Sequence, residues 1–490
     1  MGESSIDVLI VGAGFAGLGM AIALRKAGME SFLVIEKGSD VGGTWRDNRY
    51  PGCACDIPSH LYSFSFDLNP NWSRMYAPQP EIWDYLRQCA KRHAVLGRVR
   101  FHTTIEAAEW DEAQRLWQVT TQNGNRIHAR VLISGMGALH VPCYPDVPGR
   151  ERFCGPWFHS ACWDPDVALV GRQIAVIGTG ASAIQLVPQI AALAGRLDLY
   201  QRTPAWILPR RDFPIDERWK RRFAQAPWVM RTFRAWLFWN REIFVPGFLG
   251  NRWIQAQGEK MARSFLERSV ADPTFRAALT PNYAFGCKRV LISSDFYEAV
   301  QRPNVQLVAE PIAEIREQSV VTASGAERPA DVLIYATGFR ATELLHSIRV
   351  SGRDGIDFQQ AWRQSRCAHL GIAMSGFPNF FMLLGPNTGL GHNSVVLMIE
   401  AQIRYVISCL KGMQQRNCSV MELRPESQNR FGEFLRRRLA GTVWQSGGCR
   451  SWYQDAETGE NPTIWPGSVV AYRRRTRRVA AADFEWSGAG

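Results

Sequence analysis

Short apolar runs rich in β-branched residues alternate along this chain with Gly-rich turns and amphipathic stretches, and their order predicts an α/β architecture. Ile6–Val11 reads as a buried strand, Gly12-Ala13-Gly14-Phe15-Ala16-Gly17 follows at once, and Leu18 to Ala27 has the period of a helix stopping at Gly28. A second strand, Ser31–Ile35, ends on Glu36, 19 residues past Gly17. The same features return at Gln173–Ile177, with the turn Gly178-Thr179-Gly180-Ala181-Ser182-Ala183, a helix to about Ala194 and a strand Leu197–Tyr200. The first glycines of the two turns lie 166 residues apart, so this is a second βαβ unit and not a short repeat. Val131–Gly135 and Asp331–Phe339 end in small residues, as the closing strand of each unit would. Val395 to Cys409 reads as a helix with Ser394 or Asn393 at its N-cap. Between Trp206 and Trp253 lie six of the 18 Trp, with Arg at frequent intervals. That stretch is amphipathic and predicted helical; core packing is the commonest use of such aromatics, a substrate-cleft lid or a membrane-surface helix being the other readings.

Composition narrows the class without naming it. The 490 residues allow about three domains, and 46% hydrophobic with 21% charged residues excludes wholesale disorder. No apolar run approaches the roughly 18 residues of a membrane span, and the start lacks a secretory signal, so a soluble, cytoplasmic protein is expected. The net charge of +12 includes a basic run at Arg473–Arg478, but no aromatic interleaving accompanies it, and nucleic acid is not the expected partner. Eleven Cys scattered from Cys53 to Cys449 without a CxxC argue against a disulfide framework, a zinc site or a dithiol redox centre. No metal-ligating spacing, P-loop or nucleophile elbow is present, and no motif bears on oligomeric state.

The two glycine turns carry the chemistry. A GxGxxG between strand and helix lets backbone approach a pyrophosphate, and the helix N-terminus supplies positive potential. Gly12, Gly14, Phe15 and Gly17 are the candidates in the first turn, with Glu36 placed to bind a ribose diol. In the second, Gly178, Gly180, Ala181 and Ser182 are followed by Arg202-Thr203 where an acid would otherwise stand. An acid suits a free 2′-hydroxyl and an arginine a 2′-phosphate, so the first site suits FAD and the second NADPH. A plain surface arginine is the bland reading of Arg202. Two such nucleotides imply hydride transfer from NADPH to a flavin.

Residues 153–164, Phe-Cys-Gly-Pro-Trp-Phe-His-Ser-Ala-Cys-Trp-Asp, resemble the FxGxxxHxxxW(P/D) fingerprint of type I Baeyer–Villiger monooxygenases. Residues 42–56, Gly-Gly-Thr-Trp-Arg-Asp-Asn-Arg-Tyr-Pro-Gly-Cys-Ala-Cys-Asp, are similar to that family's second pattern and include Gly43, Thr44, Trp45 and Asp56 as candidate flavin-side residues. With Ala336-Thr337-Gly338 and Ser451-Trp452-Tyr453, the resemblance spans nearly the whole chain. It implies two Rossmann-like dinucleotide-binding domains, the second inserted in the first. The expected boundaries are 1–150 and 339–490 for FAD and 151–338 for NADP, with a helical insert at about 206–280.

The activity implied by the resemblance is conversion of a ketone to an ester or lactone with NADPH and O₂, and the Trp- and Phe-rich insert suggests a small apolar ketone. Oxygen adds at flavin C4a, and the resulting peroxide anion attacks the carbonyl to give a Criegee adduct. An anion in a water-poor cleft needs a fixed cation. The resemblance assigns that role to Arg289, in Phe285-Gly-Cys-Lys-Arg289, with Asp56 as its carboxylate partner. Lys288, Arg202 and Thr203 match the grip on the 2′-phosphate, and Trp452 the residue that folds over bound NADP. Taken alone, Arg289 would read as a salt-bridge residue and Asp56 as a turn or cap residue. His159 resembles an interdomain hinge, not a general base. Oxidation of nitrogen or sulfur on the same fold is the alternative activity.

Overall fold

The computed structural model describes residues 4–455 and 457–489; the leading Met1–Glu3 lie outside them. Two sheets organise the chain. In the first, the strand Ser4–Val11 is flanked by Phe32–Ile35 and Arg126–Ser134, both parallel to it. Val99–Arg100 extends the parallel side, and Ile105–Asp111 with Leu116–Thr121 form an antiparallel hairpin on the other. The carboxy-terminal part of the chain returns to this sheet: Phe380–Met382 pairs in parallel with the end of Arg126–Ser134, and Arg349–Ser351 adds to the far edge. The second sheet is wholly parallel, in the order Val305–Val308, Arg196–Tyr200, Gln173–Ile177, Val332–Tyr335, Trp157–His159. Strands buried on both faces need continuous apolar runs, which is why Val332–Tyr335 is buried at every position.

Helix boundaries differ modestly from expectation. The first helix begins at Phe15 and ends at Lys26, while the helix after the second turn, Ala183–Ile190, is shorter than predicted. Pro188 lies inside it and withholds the donor that the Ile184 carbonyl would otherwise accept from. Gly17 explains how the first turn closes: a Cβ there would come within 1.8 Å of the Gly12 carbonyl oxygen. Only glycine lets the helix start so near the strand.

The aromatic stretch forms the helices Glu217–Gln225, Pro227–Glu242, Val245–Phe248, Arg252–Ser269 and Pro273–Ala278. Paired two-residue strands, Ile207–Leu208 and Leu291–Ile292, form its base. Pro227–Glu242 packs on the first unit: buried Arg234 donates to the carbonyl oxygens of His60, Leu61 and Ser63. The expectation of core packing holds for Trp206 but fails for Trp219, Trp228, Trp236, Trp239 and Trp253, which are exposed. Cysteine usage also misled in one place. Cys287 and Cys449, 162 residues apart, form a disulfide, brought together in a small core with Trp206, Tyr283 and Tyr453. Cys53 and Cys55 are buried free thiols. Among the described residues no helix is long and apolar enough to cross a membrane, and no His/Cys/Asp/Glu group is placed to hold a metal.

Candidate active site

The first glycine turn is built around a locked carboxylate. Glu36, at the end of Phe32–Ile35, accepts from the Ala13 amide (2.8 Å), the Gly38 amide (2.8 Å) and Arg46 (2.7 Å). Both members of the Glu36–Arg46 pair are buried. The arginine partner was not anticipated, because ten residues of irregular chain separate the two. Gly14 and Gly43 face each other backbone to backbone: a Cβ on Gly43, whose φ is +51°, would meet the Gly14 Cα at 3.1 Å. Thr44 opens the short helix Thr44–Asp47, and the Trp45 indole donates to the Tyr62 hydroxyl (3.2 Å). Phe15 turns its ring inward, 5.2 Å from both Tyr62 and Phe64, so only its backbone belongs to the turn. Gly12, Gly14, Gly17, Glu36, Gly43, Thr44 and Trp45 thus form one constellation.

A second element leaves the same edge of the sheet. The Leu383 amide donates to the Ser134 carbonyl, and the chain then runs to the helix Val395–Arg416. Ser394 occupies the N-cap position, but its side chain caps nothing, and its hydroxyl is buried without a partner. His392 and Asn393 are instead tied to buried Glu242 (3.0 and 2.9 Å).

The second turn is open where the first is closed. Gly178 has φ +109°, and a Cβ there would meet the Ala336 oxygen at 2.6 Å. Gly180 and Ala181 are exposed and Ser182 half-buried. Thr179 donates to the Thr203 carbonyl (3.2 Å), which sets the loop carrying Arg202. Burial, and then the positive charge of Arg202, push the Lys288 ammonium below its ordinary value. Two cations close enough to repel each other suit a shared anionic partner.

Between the two turns lies an ion pair assembled from 233 residues apart, Arg289 with Asp56. Asp56 ends a loop docked on Ala183–Ile190 through Gln185, which accepts from the Tyr50 hydroxyl (3.0 Å) and donates to the Ala54 carbonyl (3.0 Å). Arg289 follows Cys287 and Lys288, so the disulfide anchors its segment to the loop ahead of Trp452. The two side chains are 35% and 24% exposed, enough for a small molecule to reach them. The Asp56 charge holds the Arg289 guanidinium above its already high value, so it is permanently cationic. Buried Tyr453 sits beside the pair; burial pushes its phenol up to about 12, with Arg289 opposing, and it stays neutral. Burial likewise raises the Cys55 thiol. Trp452 is exposed, its ring 4.4 Å from Tyr453.

Gln185, Tyr50 and Tyr453 are the residues at this junction that sequence reasoning missed. Tyr453 lies within the Ser-Trp-Tyr segment singled out above, whereas nothing local marks Gln185. Burial pushes His159 down to about 4, and its Nδ1 accepts from the Ala161 amide (3.1 Å) at the start of the short turn Ser160–Cys162.

The family described as pyridine nucleotide-disulphide oxidoreductase matches residues 9–217, a range holding both glycine turns. A Baeyer-Villiger monooxygenase of Pseudomonas aeruginosa is 45% identical over 477 residues, covering 97% of this chain and 90% of that protein. A Baeyer-Villiger monooxygenase of Streptomyces coelicolor is 42% identical over 481 residues, covering 98% and 92%. Among solved structures, closed cyclohexanone monooxygenase superposes with a TM-score of 0.90 at 28% identity, covering 100% of both chains. Oxidised steroid monooxygenase bound to NADP gives 0.87 at 31% identity, covering 99% of this chain and 100% of that one.

Proposed function

The chain belongs to the Baeyer–Villiger monooxygenases, flavin-dependent enzymes, and from that premise we propose that it uses NADPH and O₂ to insert oxygen beside the carbonyl of a small apolar ketone, giving an ester or lactone. FAD and NADP are its cofactors. When bound, they supply hydride transfer and activation of O₂. Residues 1–150 and 339–490 make up the FAD domain and 151–338 the NADP domain in this reading.

The residues fit both groups. Side chains at Gly12, Gly14, Gly17 and Gly43 would meet backbone, which leaves the first turn free for a pyrophosphate. Glu36 retains acceptor capacity for a ribose diol. The orphaned Ser394 hydroxyl and uncapped amides at the start of Val395–Arg416 suit an electron-rich ring edge. Gly178, Gly180, Ala181 and Ser182 take the second pyrophosphate; Arg202, Lys288 and Thr203 take the 2′-phosphate, and Trp452 covers the nicotinamide nucleotide.

The observation that carries the reading is the Arg289–Asp56 pair. Ketone oxygenation builds negative charge on oxygen in a place water should not enter, and a fixed guanidinium stabilises it without reorganising. Asp56 orients Arg289 and tempers its charge, so the pair is nearly neutral until the reacting oxygen approaches. Neutral Tyr453 adds a polar neighbour without a competing charge.

Replacing Arg289 with Ala tests this directly. Lactone or ester formation should fall by about 10²–10³-fold or more, the usual scale for removing a preorganised charge stabiliser, while anaerobic flavin reduction by NADPH survives. Ester yield undiminished in that variant would remove the proposed role. Loss of ester formation with thioether oxidation intact would separate anion stabilisation from oxidant formation.

A further inference from the structure

The helix Pro227–Glu242 carries apolar side chains on two faces, one packed inward and one turned out. Its inward face buries Met230, Leu237 and Phe238 together with two anchored charges: Arg234 donates to three backbone carbonyls, and Glu242 holds His392, Asn393 and the Val469 amide. Its outward face carries Trp228, Thr232, Ala235, Trp236, Trp239 and, just past its end, Ile243. At 100° per residue these positions fall within an arc of about 100°, the width of the apolar stripe that a globular helix turns to its core. Here that stripe faces outward, with Trp228 67% and both Trp236 and Trp239 58% exposed. Trp219 extends the surface through a ring ladder, Trp219–Phe223–Phe233–Trp236, with successive centroids 5.6, 5.7 and 5.9 Å apart. His60 closes on Phe223 and Phe233 from below (4.9 and 5.4 Å), so the two helices form a fixed platform. Exposed tryptophans on that scale mark a surface that meets something else.

Charge identifies what it meets. Residues 206–280 hold fourteen basic against seven acidic side chains, which is more than half of the chain's +12. Arg218, Arg221, Arg222 and Arg231 are exposed around the tryptophans. The acids of these two helices are Glu217, tied to Lys220 (2.7 Å), and Glu242, turned inward. A tryptophan rim set among arginines matches the boundary of an anionic bilayer, where the indole sits at headgroup depth and guanidinium meets phosphate. A second copy docked face to face would bring two basic inserts together and pay for their repulsion. We propose that the platform formed by Glu217–Gln225 and Pro227–Glu242 is a docking surface for anionic lipid membranes, which the protein touches without crossing. This does not use the ketone reading, and the two can fail separately.

The test is flotation of the FAD-loaded full chain with vesicles of phosphatidylcholine alone or mixed with phosphatidylglycerol, with quenching of tryptophan emission by brominated lipid. Binding and quenching with the anionic vesicles, weakening as salt is raised, are expected. Replacing Trp228, Trp236 and Trp239 together by Ser should weaken that binding by about tenfold or more, the worth of a few buried apolar side chains, with flavin content and circular dichroism unchanged. Arg222→Gln with Arg231→Gln should reduce binding to anionic vesicles and its salt dependence. Failure to float at low salt would overturn the proposal. So would equal binding by the serine variant, which would reduce the effect to bulk charge. A concentration-dependent dimer that the serine variant abolishes, with vesicles ignored, would assign the face to a second copy instead.

Discussion

The turn after Ser4–Val11 and the turn after Gln173–Ile177 begin alike and end in opposite chemistry. Each opens on a left-handed glycine, Gly12 at φ +94° and Gly178 at +109°. In each, a Cβ on that glycine would run into the carbonyl at the end of the unit's third strand, Gly135 at 3.1 Å or Ala336 at 2.6 Å. Past the second strand the first unit presents a carboxylate already locked by two amides and Arg46, whereas the second presents Arg202 in solvent and a half-buried Lys288 that feels its charge. A carboxylate fixed in advance suits a nucleotide that stays, because the ordering cost is met at folding. Unpaired cations on an open rim suit one that comes and goes by its phosphate charge.

The strongest break in this contrast is at Glu36. Glu36→Ala leaves buried Arg46 with Asp47 (2.7 Å) as its remaining carboxylate and takes the acceptor from the Ala13 and Gly38 amides, and each buried donor left unsatisfied costs about 1–3 kcal/mol. The purified variant should lose flavin and unfold at markedly lower denaturant concentration. Glu36→Gln, which keeps the acceptor for one amide, should lose less. Full flavin occupancy and an unchanged urea midpoint in the alanine variant would mean that the carboxylate is not the organiser of the first turn.

Acid should instead weaken both regions together. His60, beneath the insert on the first unit, and His159, on the edge of the second sheet, are both pushed by burial from 6.5 down to about 4. A base whose folded value lies below its unfolded one takes up its proton on unfolding. Stability from each is therefore complete above about pH 6.5 and lost as pH falls toward 4, each on the order of 3 kcal/mol at the acid end. Urea midpoints measured across that window should fall steadily, and His159→Asn should remove its share of the slope. A flat profile would mean that both imidazoles find proton acceptors in the folded state.

How much of this was legible beforehand depended on how local the cause was. Both βαβ units were read directly, because strand, glycine turn and helix are contiguous and each carries its own period. The ends of those elements were less clear, since the helix Ala183–Ile190 stops while its apolar pattern runs on toward Ala194. Arg289 and Asp56 were reached only through family resemblance: with 233 residues between them, no spacing rule applies. The same holds for Cys287–Cys449, where cysteine counting pointed away from a disulfide framework although two loops 162 residues apart bring the thiols together. The tryptophan stripe misled for a different reason. The pattern shows that a helix has apolar positions but not which of them turn inward, and here Met230, Leu237 and Phe238 share the inner side with Arg234 and Glu242 while the tryptophans stay outside.

The disulfide bridges the two proposed domains, Cys287 to Cys449, but it holds the segment of the second turn's cations and none of the residues of the first turn. It joins the segment of Lys288 and Arg289 to the loop before Trp452. Cys449→Ser should cost about 2–4 kcal/mol in denaturant unfolding and weaken NADP binding, while leaving flavin content alone. If flavin is lost in parallel with NADP affinity, the two regions are not independent.

The smallest effect is the most specific. For Lys288 to hold a 2′-phosphate it must carry its proton, and burial with Arg202 beside it makes that proton easier to lose. NADP binding should therefore weaken on the alkaline side sooner than an exposed lysine's ordinary 10.5 would dictate. Arg202→Ala should have two separable consequences: affinity falls by about tenfold at neutral pH, the worth of one charge-assisted contact, and the alkaline limb moves upward because Lys288 has lost its repelling neighbour. Arg202→Glu should go further and narrow the preference for NADPH over NADH, since an acid at this position favours the free ribose diol. Titrating NADP⁺ and NAD⁺ against both variants across the alkaline range reads all of this from binding alone. A fall in affinity with no movement of the limb would place Arg202 on the phosphate but too far from Lys288 to tune it, and the second region would then be two independent cations and not one coupled site.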